Sequence, residues 1–342
     1  MTDPSTILTH FTIGKATPTH ISPIIGGHIN NSFLVLTETG GFVLQRINGS
    51  VFPDVSKLME NFCRVTAHLR AKGLITLESL QTINGKDFHL DKQGHAWRLC
   101  RRLENTIMVS APATSRQVKN AAKAYGDFTR SLEDLPQPRL HEIIPDFHDT
   151  RKRMDEFLLA VKADPQNRVH NAAAEIEFII ERREWCQIIA RAMADGVIPE
   201  RIVHNDAKLN NVLFDIQTEE VASVIDLDTV MPGSILHDFG DLIRSAASSA
   251  REDEPDVSKI AINKHFIDAI TKGFLESCGD MITQAEHELL PMAGKLVTYE
   301  QAIRFLTDYI LGDNYYKTRH RSQNLERARN QLRLVELLEE TT

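Results

Sequence analysis

Cysteine is scarce in this chain: Cys63, Cys100, Cys186 and Cys278 are the only four in 342 residues, with no CxxC pair and no histidine at zinc spacing. Neither a disulfide framework nor a structural zinc site can organise such a sequence, and the thiols read as small buried hydrophobes in a reducing compartment. Long apolar runs are missing too. No segment approaches the roughly 20 apolar residues of a membrane span, and Met1 to His10 lacks the basic stretch and apolar core of a secretory leader, so a cytoplasmic protein without a membrane partner is expected. Excess positive charge is also absent: the formal net charge is -8, which excludes the basic footprint of a general nucleic-acid binder. A small neutral acceptor fits that balance better. Internal repeats, low-complexity segments and a complete GxGxxG loop are not found.

What is present is ordinary globular material, 42% hydrophobic and 25% charged. A chain of 342 residues exceeds the size at which one core stops growing, so two lobes are expected, as a monomer or weak homodimer. The first hundred residues read as strands. Phe33–Leu36 and Phe42–Ile47 flank a Glu38–Gly41 turn, Leu80 to Leu90 alternates loosely around the hairpin dipeptide Asn84-Gly85, and His95–Cys100 is a last strand. Among them, Leu58, Phe62, Val65 and Leu69 share one face of a helix ending at Gly73. Gly26 and Gly27, in the string Ile24 to Asn31, would let backbone amides approach a polyphosphate, with Asn30 beside them. Arg101 to Val109 reads as a connector, which places the boundary near residue 101.

Beyond it the pattern turns helical. Thr114 with Gln117 resembles a capping box for a helix running to Leu132, and further helices are expected at Ile176–Ala194, Ile260–Glu276, Gln284–Leu311 and Leu325–Leu338, the last with Arg327, Arg329 and Arg333 on a solvated face. Between them lies His204-Asn205-Asp206-Ala207-Lys208-Leu209-Asn210-Asn211, then a polar-tipped hairpin, Val212–Asp215 and Val221–Ile225, returning to Asp226. Phosphoryl transfer needs a base at the acceptor hydroxyl, oxygen ligands for magnesium and positive charge on the phosphates. Kinase catalytic loops place a cation two residues and a metal-binding Asn five residues after the base. Asp206, Lys208 and Asn211 stand at those offsets, and Asp226 takes the place of the kinase DFG aspartate. His204 reads as a structural support of the loop.

This order of β-rich lobe, connector, helical lobe, HxDxxxxN loop and returning Asp resembles the aminoglycoside phosphotransferase and choline kinase superfamily over nearly the whole chain. The strings HNDAKLNNVLFD, DLDTVMPG, HDFGD and RFLTDYILGDNYY look like the N-acetylhexosamine 1-kinases. The resemblance implies an α+β, bilobal, protein-kinase-like fold, with a nucleotide-binding lobe at 1–100 and a catalytic and acceptor-binding lobe at 101–342. It implies ATP and Mg²⁺, Asp206 as base with Lys208 on the transferred group, and Asn211 and Asp226 as metal ligands. His28, Asp228, Arg304 and Tyr316 are placed against an N-acetylhexosamine. Arg304, Asp308, Tyr309, Asp313, Asn314, Tyr315 and Tyr316 gather donors, acceptors and aromatic faces in one span, as a hydroxyl-rich ligand needs.

The chain departs from the pattern on its third strand, where relatives carry Lys or Arg and this sequence has Leu44-Gln45-Arg46. Either Gln45 faces the phosphates or a shifted register turns Arg46 inward. Glu60, on the following helix, is the expected partner of that strand cation. Kinases for choline, homoserine, an aminoglycoside or another amino sugar share the loop and differ in the acceptor pocket. A nucleotide-binding pseudokinase is the reading of another class, and the retention of Asp206, Asn211 and Asp226 argues against it.

Overall fold

A computed structural model describes residues 3–14, 17–24, 29–109, 113–248 and 250–341. The chain forms two compact units, neither continuous in sequence: Met1–Ile107, Asp134–Pro145 and Leu213–Met231 make one, and Met108–Glu133, Asp146–Val212 and Pro232–Thr342 the other. The expected division at residue 101 treated each lobe as one stretch. The two later insertions join the first unit because the Val55–Ala71 helix holds them: the Asn61 amide donates to the carbonyls of His141 at 2.8 Å and Val230 at 3.3 Å, and Arg64 donates to that of Pro136 at 2.7 Å.

The first unit is built on an antiparallel sheet in the order Pro18–Pro23, Asn31–Thr37, Gly40–Arg46, Ala96–Arg101 and Ser79–Leu80, with His89–Leu90 also paired to Ala96–Arg101. Leu80 and Leu90 thus both pair with the Ala96–Arg101 strand rather than with each other as a hairpin, although Asn84-Gly85 does form the turn expected of it, closed by Thr82 N–H to Lys86 O at 2.8 Å. Strand alternation sorts the faces. Val35, Phe42, Leu44, Trp97 and Leu99 bury themselves against Ile7, Leu8 and Phe11. The opposite face carries Ser32, Gln45 and Arg98 in register. The Val55–Ala71 helix, capped by Asp54, buries Leu58, Phe62, Val65 and Leu69 as their spacing requires. A smaller sheet orders Val221–Val224, Val212–Asp215 and Thr106–Met108.

The second unit is helical and centred on Gln284–Leu311, against which Thr150–Ala163, Ile235–Ala246 and Gln323–Glu339 pack. A Thr283–Glu286 capping box starts the central helix, and Gly312 ends it in the left-handed region at φ 106°, a conformation that only glycine adopts without strain. Gly240 lies so close to the Ala293 carbonyl that a Cβ would collide with it. Ser115–Ser131 has the expected Thr114–Gln117 box and packs on Lys264–Cys278.

Three expectations need correction. The helix drawn over Ile176–Ala194 is Ala173–Glu181, a 3₁₀ stretch at Arg183–Gln187, then Ile188–Ala194. The charged run Glu181 to Glu184 has no apolar side to present, and the tighter 3₁₀ turn rephases the chain so that Cys186 and Ile189 are buried again. Arg327 is not on a solvated face: it is 9% exposed, donates to Asn324 Oδ1 at 3.0 Å and lies 5.5 Å from the Phe305 ring. Three helices, Pro4–Leu8, Thr150–Ala163 and Ile235–Ala246, had no counterpart in the sequence reading. Among the described residues no helix is long and apolar enough to cross a membrane.

Candidate active site

The loop His204–Asn211 follows the short strand Arg201–Val203 and closes in a 3₁₀ turn at Leu209–Asn211. Its backbone is gripped from several directions. The Asp238 carboxylate, wholly buried on the helix Ile235–Ala246, accepts the N–H groups of His204 at 2.8 Å and Asn205 at 2.7 Å. Burial raises the Asp238 pKa to about 6, against the pull of His204 and these two amides. Buried His204 accepts the Asp206 N–H on Nδ1 at 3.2 Å, with Tyr125 and Phe128 edge-on to its ring, and the Tyr125 hydroxyl donates to the Lys208 carbonyl at 2.8 Å.

Three side chains meet on that frame. Lys208 Nζ is 2.5 Å from Asp206 Oδ1, both side chains partly open at 30% and 26% exposure, and the Asn211 amide donates to Asp206 Oδ2 at 3.0 Å and to its carbonyl at 2.9 Å. Burial alone would raise the Asp206 pKa, but the Lys208 ammonium outweighs it and, with His204 and Arg244, holds the carboxyl at about 2. Asp206 is therefore an anion at any working pH. Because the Asn211 nitrogen faces Asp206, its amide oxygen is turned away and is available to a hard cation.

In the first unit, Asp226 ends the hairpin return in the left-handed region at φ 60°, and Asp228 follows in a 3₁₀ turn. Asp228 is 2% exposed and saturated: Arg98 grips it with both terminal nitrogens, Nη2 at 3.0 Å from Oδ2, and Asn30 Nδ2 donates to Oδ2 at 2.7 Å. Gln45 completes the row, accepting from Arg98 Nε at 2.9 Å and donating to Ser32 at 3.0 Å. Arg98 also lies 4.7 Å from the Phe62 ring.

Residues 20–267 match the family model described as the phosphotransferase enzyme family, APH. The chain belongs to this phosphotransferase family. Among solved structures, a spectinomycin phosphotransferase in complex with ADP and spectinomycin is 13% identical, covering 98% of this chain and 97% of that one at a TM-score of 0.60. A microcompartment-associated aminopropanol kinase is 14% identical, with 98% and 95% covered and a TM-score of 0.64. An amicoumacin kinase in complex with AMP-PNP and Ca²⁺ is 14% identical, with 99% and 95% covered and a TM-score of 0.61. At these identities the likeness is one of fold, and it is the aminoglycoside phosphotransferase fold expected from the order of elements.

Several of the expected site residues of the phosphotransferase have partners within the chain. Gln45, not Arg46, shares the face of Arg98, while Arg46 alternates to the face of Leu44. The cation missing from the third strand thus stands on its cross-strand neighbour, and it is committed to Asp228. Asp228 was expected against the acceptor and Asn30 against the nucleotide; here they bond each other, Asp228 is also held by Arg98, and the Asn30 oxygen accepts from the Asn48 N–H at 3.0 Å. Glu60 does not meet a strand cation. It is half exposed, 2.9 Å from His141 and 3.9 Å from Arg64. Arg101 is exposed and paired with Glu78 at 2.7 Å. Gly26, Gly27 and His28 lie outside the described residues.

In the second unit of the phosphotransferase, Arg304 has no carboxylate within salt-bridge distance among the described residues, and its guanidinium lies 5.0 Å from the Phe147 ring, 5.9 Å from Tyr315 and 6.0 Å from Tyr316. Tyr316 hydrogen-bonds Gln301 at 3.1 Å. The rest of the polar span is structural: Asp308 accepts the N–H groups of Asn314, Tyr315 and Tyr316, Asp313 pairs with Arg168 at 2.6 Å, and Tyr309 lies under Arg168. The sequence reading missed Arg98, His148, Asp238, Arg244 and Glu300. Only Asp238 left a signal, in the string HDFGD.

Proposed function

We propose that this member of the phosphotransferase family is a small-molecule kinase that transfers the γ-phosphate of ATP to the anomeric hydroxyl of an N-acetylhexosamine. The observation that carries the reading is the Asp206–Lys208–Asn211 cluster, an anionic base, a cation and an amide oxygen on one braced loop. The sugar assignment is supported by the longer strings that resemble those of N-acetylhexosamine 1-kinases and by Arg304, which has no carboxylate within salt-bridge distance among the described residues and is framed by aromatic rings, as suits a neutral ligand bearing carbonyl and hydroxyl oxygens. A polycationic aminoglycoside would favour carboxylates there instead.

The donor set fits magnesium. The Asn211 amide oxygen and the Asp226 carboxylate are hard oxygen ligands of the kind that hold Mg²⁺ with phosphate oxygens and water, and Asn211 is oriented for it by its own amide. Held there, the ion would supply positive charge against the phosphates. The chain's residues do the rest. Lys208 has three donors and rests on Asp206; an arriving phosphoryl group competes for the ammonium, which frees a carboxylate oxygen to accept the hydroxyl proton. The anomeric hydroxyl is more acidic than other sugar hydroxyls, which suits a base whose pKa is held so low.

Formation of ADP with N-acetylglucosamine, N-acetylgalactosamine, choline, homoserine and an aminoglycoside, each with ATP and Mg²⁺, tests the assignment. Turnover with the two N-acetylhexosamines and none with the rest is expected. Turnover with another acceptor alone would overturn the sugar reading, and nucleotide binding without turnover on any acceptor would make the chain a pseudokinase. Asp206→Asn is expected to lower kcat by about 10²- to 10⁴-fold with nucleotide affinity kept; full activity would remove Asp206 from the role of base.

A further inference from the structure

The central helix Gln284–Leu311 carries Glu300 and Arg304 one turn apart, on neighbouring positions of one face. Glu300 is 2% exposed, and its carboxylate accepts from His148 Nδ1 at 2.8 Å and from the Thr150 hydroxyl at 2.6 Å. The other ring nitrogen of His148, Nε2, lies 2.9 Å from the carbonyl oxygen of Asn205. A backbone carbonyl can only accept, and an ionised carboxylate can only accept. Both ring nitrogens must therefore donate, which makes His148 an imidazolium. Asn205 directly precedes Asp206 and sits in the left-handed region at φ 61°. Its N–H is held by Asp238 and its C=O by His148, so charged groups fix both peptide planes leading into Asp206.

We propose that His148 is a positioning residue for phosphoryl transfer: its imidazolium clamps the Asn205 carbonyl to the helix bearing Arg304, so that Asp206 and Arg304 keep one spacing while His148 is protonated and lose it when the proton leaves. This rests on Asp206 acting as base. Among the described residues, two elements packed against the imidazole bring titratable or charged groups to it. From the central helix come Glu300, which favours the proton, and Arg304, which opposes it. From Ile235–Ala246 come Asp238, committed to the His204 and Asn205 amides, and His237, stacked at 4.5 Å, whose pKa burial pushes down to about 3 and which is therefore neutral. Burial of His148 disfavours its charge, but Glu300 and the Asn205 carbonyl outweigh that and raise its pKa above the ordinary value. The clamp is therefore complete at pH below the ordinary histidine range and is lost as pH rises through the raised value.

Three measurements on the full chain test this. Nitrogen-15 NMR of the histidines in the wild-type protein should show both His148 ring nitrogens protonated at pH 7; a neutral His148 there overturns the proposal. The kcat of ATP turnover with N-acetylglucosamine, and with water as the acceptor in a parallel assay, should fall on the alkaline side. In Glu300→Gln, whose neutral amide no longer favours the proton, that fall should move at least tenfold in proton concentration toward acid pH, with the KM for ATP changed less than about threefold. His148→Gln should lose at least tenfold in kcat and show no such alkaline fall. An unshifted fall in Glu300→Gln, or one that persists in His148→Gln, would overturn the clamp. Failure of the sugar reading is recognised separately, by ADP release that does not depend on N-acetylglucosamine, and failure of Asp206 as base by activity of Asp206→Asn.

Discussion

Arg98 and Arg304 are handled in opposite ways by the two units of the molecule. Arg98 is 1% exposed and spends its guanidinium on Asp228 and Gln45. Arg304 has no carboxylate within salt-bridge distance among the described residues and is bordered by Phe147, Tyr315 and Tyr316. A guanidinium locked bidentate to a buried carboxylate fixes backbone, here the turn that follows Asp226. A guanidinium left with aromatic faces alone retains its five donors for something that arrives. Motif reasoning gave binding roles to Asp228 and Arg304 alike, whereas saturation of the hydrogen-bond capacity separates them.

The contrast has consequences of graded size. Arg98→Met should have the largest effect on stability, about 3–5 kcal/mol, because it strands a buried carboxylate, whereas Arg98→Met combined with Asp228→Asn should lose clearly less than the two single changes added together. Denaturant unfolding of the four proteins checks this, and simple additivity would mean that the pair is not coupled. Arg304→Ala should leave the unfolding midpoint nearly unchanged and raise the acceptor KM about tenfold to a hundredfold, the worth of a hydrogen bond to a charged group; a change confined to the ATP constant would remove Arg304 from the acceptor pocket. Glu60→Gln should be the smallest, within about 0.5 kcal/mol in stability, with ATP affinity unchanged. A tenfold loss of ATP affinity in that variant would restore Glu60 to the phosphates.

What the sequence disclosed follows from how local the signal is. Asp206, Lys208 and Asn211 lie within six residues of one another, so their spacing alone singled them out, and the structure brings their side chains together. The Thr114–Gln117 box and the apolar stripe of Val55–Ala71 were legible for the same reason. Arg98 was not, because it works through register with Gln45 on the adjacent strand and reaches Asp228 130 residues away. His148 is 57 residues from Asn205 and 152 from Glu300, and no period relates them. The helix Ile235–Ala246 was missed for a different reason: every residue but Ser245 is buried, and a helix covered on all sides lacks the polar face that reveals the 3.6-residue period.

The proposed chemistry requires the braced Asp206 to take the proton from one sugar oxygen. Phosphorus NMR of the product from ATP, Mg²⁺ and N-acetylglucosamine tests that most directly. The expected result is one sugar phosphate, coupled to the anomeric proton and absent with Asp206→Asn. Phosphate on any other hydroxyl, or no sugar phosphate at all while ATP is consumed, would contradict it.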